Sequence, residues 1–246
     1  MTAHESASTA PAGDPESADE LARVKYTAER LIAVLGHDLR SPLNAISLAA
    51  ETLLLARPDD ETAALIAERL RSAARRMSRT VDQVVDFAAL YSGSGPIDPS
   101  DADLAQLCRT AADEFEELRR RSFTCDVDGV STGRWDPHRM LQLFSHLVGY
   151  AVQHGKEGGS VAVRIDGRHA DEVVVELEHD GTVPESARPH LFAPFSPGSE
   201  TRGGARLGLY IVAHIAEAHG GRVAADGRGH RTVLTVTLPR AARPSA

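Results

Sequence analysis

"LGHDLRSPLNAI", residues 35–46, sets a histidine beside an aspartate and follows them within four residues by a Ser-Pro pair. From about Asp19 to Ala56 apolar residues recur at Leu31, Leu35, Leu39, Leu43, Ile46, Ala50 and Leu53. Steps of three and four place them in one stripe along a helix. His37 lies about 200° around from Leu35 and from Leu39, away from that stripe. Pro42 falls inside the stripe, although an interior proline removes a hydrogen bond and costs about 3 kcal/mol. An exposed helical histidine alone means nothing. A neutral imidazole is, however, a good nucleophile toward phosphorus, and a neighbouring carboxylate can orient it and take its proton. His37 and Asp38 together suit the transfer of a phosphoryl group.

Downstream, "RPDDE" (57–61) predicts a short turn with Asp59 or Asp60 as N-cap. A second helix then runs to about Tyr91, its stripe formed by Ile66, Leu70, Ala73, Met77, Val81, Val84, Ala88 and Tyr91. That spacing is a coiled-coil-like seam, and two such helices joined tightly make an antiparallel hairpin. A lone hairpin leaves apolar surface uncovered, so a homodimer with a four-helix bundle is expected. "SGSGPIDPSD" (92–101) reads as linker. Beyond it the pattern predicts a helix over 101–121, strand 122–128, helix 136–154, strands near 160–166 and 172–178, helix 205–219, and strands near 222–226 and 231–238. "EVVVELE" and "RTVLTVTLP" alternate as sheet strands do. The expected fold class is α+β: a helical hairpin forming a dimeric four-helix bundle, then a two-layer α/β sandwich. The domains read as a disordered leader (1–18), hairpin (19–93), linker (94–100), α/β domain (101–240) and tail (241–246).

The formal net charge of -8 disfavours nucleic acid as a partner. No apolar run is long enough to cross a bilayer, and no signal peptide stands at the N-terminus, so a cytoplasmic location is expected. Cys108 and Cys125 are the only cysteines. They read as reduced and inert, one in the core and one on a strand. The remaining histidines, such as His214 and His219, lack metal-ligand spacing, so no metal site is expected.

Several motifs in order carry a resemblance. "HDLRSPL" looks like the H box of sensor histidine kinases of two-component systems. "GRWDPHRMLQLFSHLVGYAVQHG" (133–155) resembles the N-box helix, "LFAPF" (191–195) the F box, and "GGARLGLYIVAHIAEAHGGRV" (203–223) the second glycine box with its helix. The resemblance spans about residues 20–239. It implies a dimerisation and phosphotransfer hairpin followed by a GHKL-type ATP-binding domain, with ATP and Mg²⁺ as family cofactors. It also implies that His37 is the phosphoacceptor, Asp38 its acid/base neighbour and Ser41 a residue with a phosphatase role. A response-regulator receiver domain is the implied partner.

The ATP-site positions depart from the family pattern. In the N box, Asn-Leu-Leu-x-Asn-Ala becomes His146-Leu147-Val148-Gly149-Tyr150-Ala151. Tyr150 then stands where the resemblance places a magnesium ligand, and a phenol suits that hard cation poorly. The first glycine box is shortened to "HDGTVP" (179–184). His179 occupies the adenine-reading position, with Asp180 one step away and facing the other side of a strand, and Gly181 aligned. In the second glycine box, Gly204 and Gly208 remain, but Arg206 replaces the middle glycine, where backbone must approach phosphate closely. The apolar residues of both helices are intact. The losses fall on nucleotide contacts and spare packing.

Three functions follow. A phosphotransferase or phosphatase would exchange phosphoryl groups between His37 and a receiver aspartate, with autophosphorylation from ATP unsupported by the residues. A fully active ATP-dependent kinase is the second. The third is a dimeric adaptor that binds a regulator or another histidine kinase without chemistry of its own. The intact His-Asp pair favours the first.

Overall fold

The structure, a computed structural model, describes residues 32, 37, 39–55, 60–91, 97–115, 118, 122–193 and 205–241. For Tyr91, Ala205 and Arg206 it describes the backbone only. Leu31, Leu35, Asp38, Gly204, the Arg206 side chain, the leader and the tail beyond Ala241 lie outside it.

Helix α1 (39–55) continues through Pro42, and helix α2 (Glu61–Tyr91) opens on Asp60, whose carboxylate accepts from the Ala63 N–H at 2.9 Å. That bond satisfies one of the orphan donors of the first turn. Leu43, Ala50, Ala67, Ala74 and Ala88 are buried along the hairpin. Leu39, Ile46, Ile66, Leu70 and Met77 remain 42–54% exposed in the single chain. Arg40 of α1 donates through Nε (3.0 Å) and Nη2 (2.7 Å) to Asp82 of α2, tying the two helices one turn below His37.

The second part holds a small antiparallel pair, β1 (Ser100–Asp103) with β3 (Thr132–Trp135). Its five-stranded sheet has the order β2-β4-β5-β7-β6, from β2 (Ser122–Gly129), β4 (Ser160–Gly167), β5 (Glu172–Asp180), β6 (Arg222–Arg228) and β7 (Arg231–Pro239). β2 and β4 are parallel and the other neighbours antiparallel. Helices α3 (Leu104–Asp113), α4 (Pro137–His154) and α5 (Ala205–Ala218) cover one face and enclose the core. Strict alternation builds that core: Val161, Val163 and Ile165 of β4 and Val173, Val175 and Leu177 of β5 point inward. Outward residues pair across strands instead, as in Arg228–Glu176 and Arg222–Glu172. This is the α+β architecture expected of the chain.

Two elements differ from the reading of the sequence. The helix expected over 101–121 is a strand followed by a shorter helix ending at Asp113. "SDAD" carries no apolar alternation, and pairing with β3 makes it a strand. Asp103 then caps α3, accepting from the Ala105 N–H at 2.9 Å and the Ser131 hydroxyl at 2.7 Å. β3 itself was not expected. It is held by Trp135, fully buried, whose indole N–H donates to the Pro239 carbonyl at 2.7 Å.

Arg240 closes this end of the sheet. Its guanidinium donates to the carbonyls of Val130 (2.9 Å), Thr132 (2.8 Å), His169 (3.0 Å) and Gly167. One planar fork serves two loops, an arrangement an ammonium cannot copy. Arg240→Ala is expected to destabilise the domain by about 1–2 kcal/mol, with Arg240→Lys recovering less than half of that. Urea unfolding of the three proteins checks both numbers.

Candidate functional site

His37 has helical backbone and is exposed, as is Ser41 one turn further on. The hairpin therefore presents both to solvent on the helix that Arg40 ties to Asp82. Asp38 lies outside the described residues.

The family's N-box positions fall on α4. This helix starts where Asp136 accepts from the His138 and Arg139 N–H groups, with Pro137 in the first turn. Met140, Leu143, Phe144, Leu147, Val148 and Ala151 face the sheet and are at most 1% exposed. The face toward α2 carries His146. Its Nε2 lies 3.1 Å from an Asp86 carboxylate oxygen of α2. Burial pushes the Asp86 carboxyl up, but hydrogen bonds from His146 and Gln142 and the charges of His146 and Arg139 outweigh it, so it sits below the ordinary range. His146, Gln142, Asp86, Gln83 and Asp82 line a cleft of about 450 Å³ between the two helices.

One turn on, Tyr150 is buried and stacks on His154, with ring centroids 4.5 Å apart at 26°. Its other side meets His179 edge-on at 5.6 Å. His179, 1% exposed, continues the inward row of β5. Asp180 faces the opposite side. There it accepts from the Ser160 N–H (2.8 Å) and hydroxyl (3.0 Å) and pairs with Arg231 at 3.1 Å. The Ser160 N–H and hydroxyl, then the Arg231 and Lys156 charges, hold this carboxyl below the ordinary range against a small opposing effect of burial. It does not join the aromatic group. Gly181 follows with φ +153°, and a Cβ there would come within 2.8 Å of the His154 carbonyl oxygen and 3.2 Å of His179 Nδ1.

Gly208 lies on α5 where that helix passes both α2 and α4. A Cβ would sit 3.1 Å from Gln83 Nε2 and 3.5 Å from His146 Nδ1. Two residues later Tyr210 packs against Phe87 of α2, with centroids 5.4 Å apart. The glycine thus serves helix packing here. Arg206 is in the first turn of the same helix, and Gly204 lies outside the described residues.

Sequence reasoning missed Asp86, Gln83 and Phe87, because nothing in a helix's own periodicity says which other domain it will meet. It weighed His219 only as a metal ligand and did not find its structural place. That ring is fully buried, accepts from the Asp136 N–H at Nε2 (3.1 Å) and donates from Nδ1 to the Ile215 carbonyl (2.8 Å). Among the described residues, no three His, Cys, Asp or Glu side chains gather to hold a metal ion, and no helix is long and apolar enough to cross a membrane.

Comparison with known proteins agrees with these two halves. The phospho-acceptor domain model of histidine kinases, "His Kinase A", matches residues 27–93. The model of "Histidine kinase-, DNA gyrase B-, and HSP90-like ATPase" matches residues 135–242. The chain belongs to the sensor histidine kinase family of two-component signal transduction. A bacteriophytochrome of Pseudomonas aeruginosa is 36% identical over 225 residues, covering 89% of this chain and 30% of the relative. The virulence sensor protein BvgS of Bordetella bronchiseptica is 31% identical over 237 residues, covering 91% of this chain and 19% of BvgS. The chain therefore spans less than a third of the length of these two curated relatives. Among solved structures, full-length ShkA in complex with AMPPNP superposes with a TM-score of 0.61 at 24% identity, covering 88% of this chain and 47% of ShkA. The histidine kinase ThkA in complex with the response regulator TrrA gives 0.58 at 21% identity, covering 92% of this chain and 66% of that one.

Proposed function

We propose that the chain carries a phosphoryl group on His37 and exchanges it with a response-regulator aspartate, while its ATPase-like domain does not supply that group from ATP. The observation that carries this reading is the aromatic group Tyr150–His154–His179. It joins the positions of the family's magnesium ligand and adenine reader, Tyr150 and His179, both buried, with His154 stacked on the exposed side of Tyr150. The remaining N-box position, His146, is engaged with Asp86. Phenol and imidazole do not fit a hard divalent cation carrying phosphates, so we derive no step through Mg-ATP.

In the transfer, an imidazole nitrogen of His37 attacks the phosphorus of a receiver aspartyl phosphate. The P–N bond forms, the P–O bond breaks, and the carboxylate leaves. Asp38 is the neighbour that holds or takes the ring proton. The step depends on positioning more than on covalent help, and the receiver brings its own divalent metal. Positions 146 and 150 are therefore not needed for it. Solvent exposure of His37 and Ser41 supports access by a receiver domain. The exposed stripe of Leu39, Ile46, Ile66, Leu70 and Met77 supports a second copy completing the four-helix bundle. Exchange with response regulators would place the chain's chemistry in the cytoplasm.

Incubation of the reduced full chain with labelled Mg-ATP is expected to leave His37 unlabelled, while a phosphorylated receiver domain labels it. Label from ATP that disappears in His37→Ala would establish the active-kinase reading and overturn ours. No label from either source, with the receiver still bound, would establish the adaptor.

A further inference from the structure

Arg40 stands three residues after His37, and no other lysine or arginine lies within a helical turn of that histidine along the chain. Both residues have helical backbone, and side chains three apart on a helix are surface neighbours, with about 5–6 Å between Cβ atoms. The Arg40 Nε (3.0 Å) and Nη2 (2.7 Å) both donate to one oxygen, Oδ1, of Asp82 on α2. These two groups form one edge of the guanidinium, and that edge matches a pair of oxygens better than a single one. The pair is also open to water, its side chains 43% and 48% exposed, and an ion pair so placed contributes little to stability. Asp82 is therefore a partner that Arg40 can give up. A phosphoryl group on a side chain brings about −1.5 to −2 charges and three acceptor oxygens. On His37 it would stand beside Arg40.

We propose, on the reading that His37 carries the phosphoryl group, that Arg40 then exchanges Asp82 for that group, which makes Asp82 the resting counter-ion of a phosphoryl-binding arginine. No covalent bond changes in the exchange: two N–H donors move from one carboxylate oxygen to two phosphoryl oxygens. Arg40 holds the dianion, and α1 loses its tie to α2. Arg79, three residues before Asp82 and lining the same cleft, limits the cost of releasing that carboxylate. Asp86 lies one turn further along α2 and pairs with His146 of α4 at 3.1 Å. The exchange thus removes a positive charge from the seam between the hairpin and the ATPase-like domain. Asp82 is a positioning residue in this scheme, because it acts through Arg40.

The test needs no receiver. Phosphoramidate gives its phosphoryl group to an imidazole nitrogen as ammonia leaves, and the ³¹P resonance that His37→Ala lacks identifies phosphorylated His37. Titrating that resonance with pH gives the midpoint at which the phosphoryl group takes up a proton. A guanidinium bound to the dianion lowers this midpoint, so Arg40→Gln should raise it by at least about half a pH unit. Arg40→Lys, which keeps the charge and loses the fork, should recover less than half of the difference. Asp82→Asn should lower the midpoint in the wild-type chain and leave it unchanged in an Arg40→Gln background. A purely structural tie between the helices would instead move Arg40→Gln and Asp82→Asn in the same direction. That result, an unmoved midpoint in Arg40→Gln, a full effect of Asp82→Asn without Arg40, or a His37 that takes no phosphoryl group from phosphoramidate would each overturn the proposal. Should Arg40→Gln fold poorly, Asp82→Asn alone decides, and a midpoint that does not fall overturns it. A phosphorylated receiver that fails to label wild-type His37 would sink the exchange with response regulators and leave this titration standing.

Discussion

Replacing His37 with glutamine is expected to abolish uptake of a phosphoryl group from a phosphorylated receiver domain. His37 is exposed on helical backbone, and an amide of similar reach keeps the helix without supplying a nucleophile. Surface substitutions away from packed features move stability by about 0.5 kcal/mol or less, so the variant should unfold with the wild-type midpoint. Transfer should fall by about a thousandfold or more, to the receiver's own rate of hydrolysis. Asp38→Asn keeps the nucleophile but weakens proton handling, and a loss of about 10²-fold is expected there. Ser41→Ala should leave transfer to His37 within about twofold; if Ser41 positions water, receiver dephosphorylation alone slows. Single-turnover transfer from a phosphorylated receiver measures all three variants. Wild-type uptake by His37→Gln would remove His37 as the acceptor. Equal loss in all three would point to a disrupted docking surface.

The sheet and its main helices were legible because single rules govern them. β5 alternates, so His179 had to face the helices with Leu177, and Asp180 had to face away. α4 announces its start with Asp136 and Pro137, and its apolar spacing carries it to His154. β1 was not legible because "SDAD" has no pattern of its own and becomes a strand only beside β3. At the candidate site, the identity of the substituted residues was plain, but what they now contact was not. His146 reaches Asp86 across sixty positions of chain, and the pairing depends on how the α/β domain meets α2. Gly208 was legible as a position matching the family's second glycine box, but that α5 approaches Gln83 closely there was not.

His219→Leu is expected to cost about 2–3 kcal/mol at pH 7.5 and less in mild acid. The ring is fully buried between the start of α4 and the end of α5. Because Nε2 accepts from the Asp136 N–H and Nδ1–H donates to Ile215, only the neutral ring fits. Leucine fills the volume but leaves the Asp136 N–H without its acceptor, while the Ile215 carbonyl loses the shorter of its two bonds and keeps the backbone N–H of position 219 at 3.3 Å; an unpaired N–H costs about 1–3 kcal/mol when fully desolvated. Burial, outweighing the Ile215 hydrogen bond and the Asp136 charge, lowers the pKa of His219 below its ordinary 6.5. The unfolded chain therefore takes up a proton first as pH falls. Stability linked to His219 is complete above about pH 6.5, falls below it by at most about 1.4 kcal/mol per pH unit, and is spent once pH passes the folded value. The carboxylates held low, Asp86, Asp136 and Asp180, begin to cost stability only further into acid. Urea unfolding at pH 7.5 and 5.5 separates the effects. The wild-type advantage over His219→Leu should shrink between the two, whereas an advantage that stays constant would mean the ring is already protonated, or titrates alike, in both states.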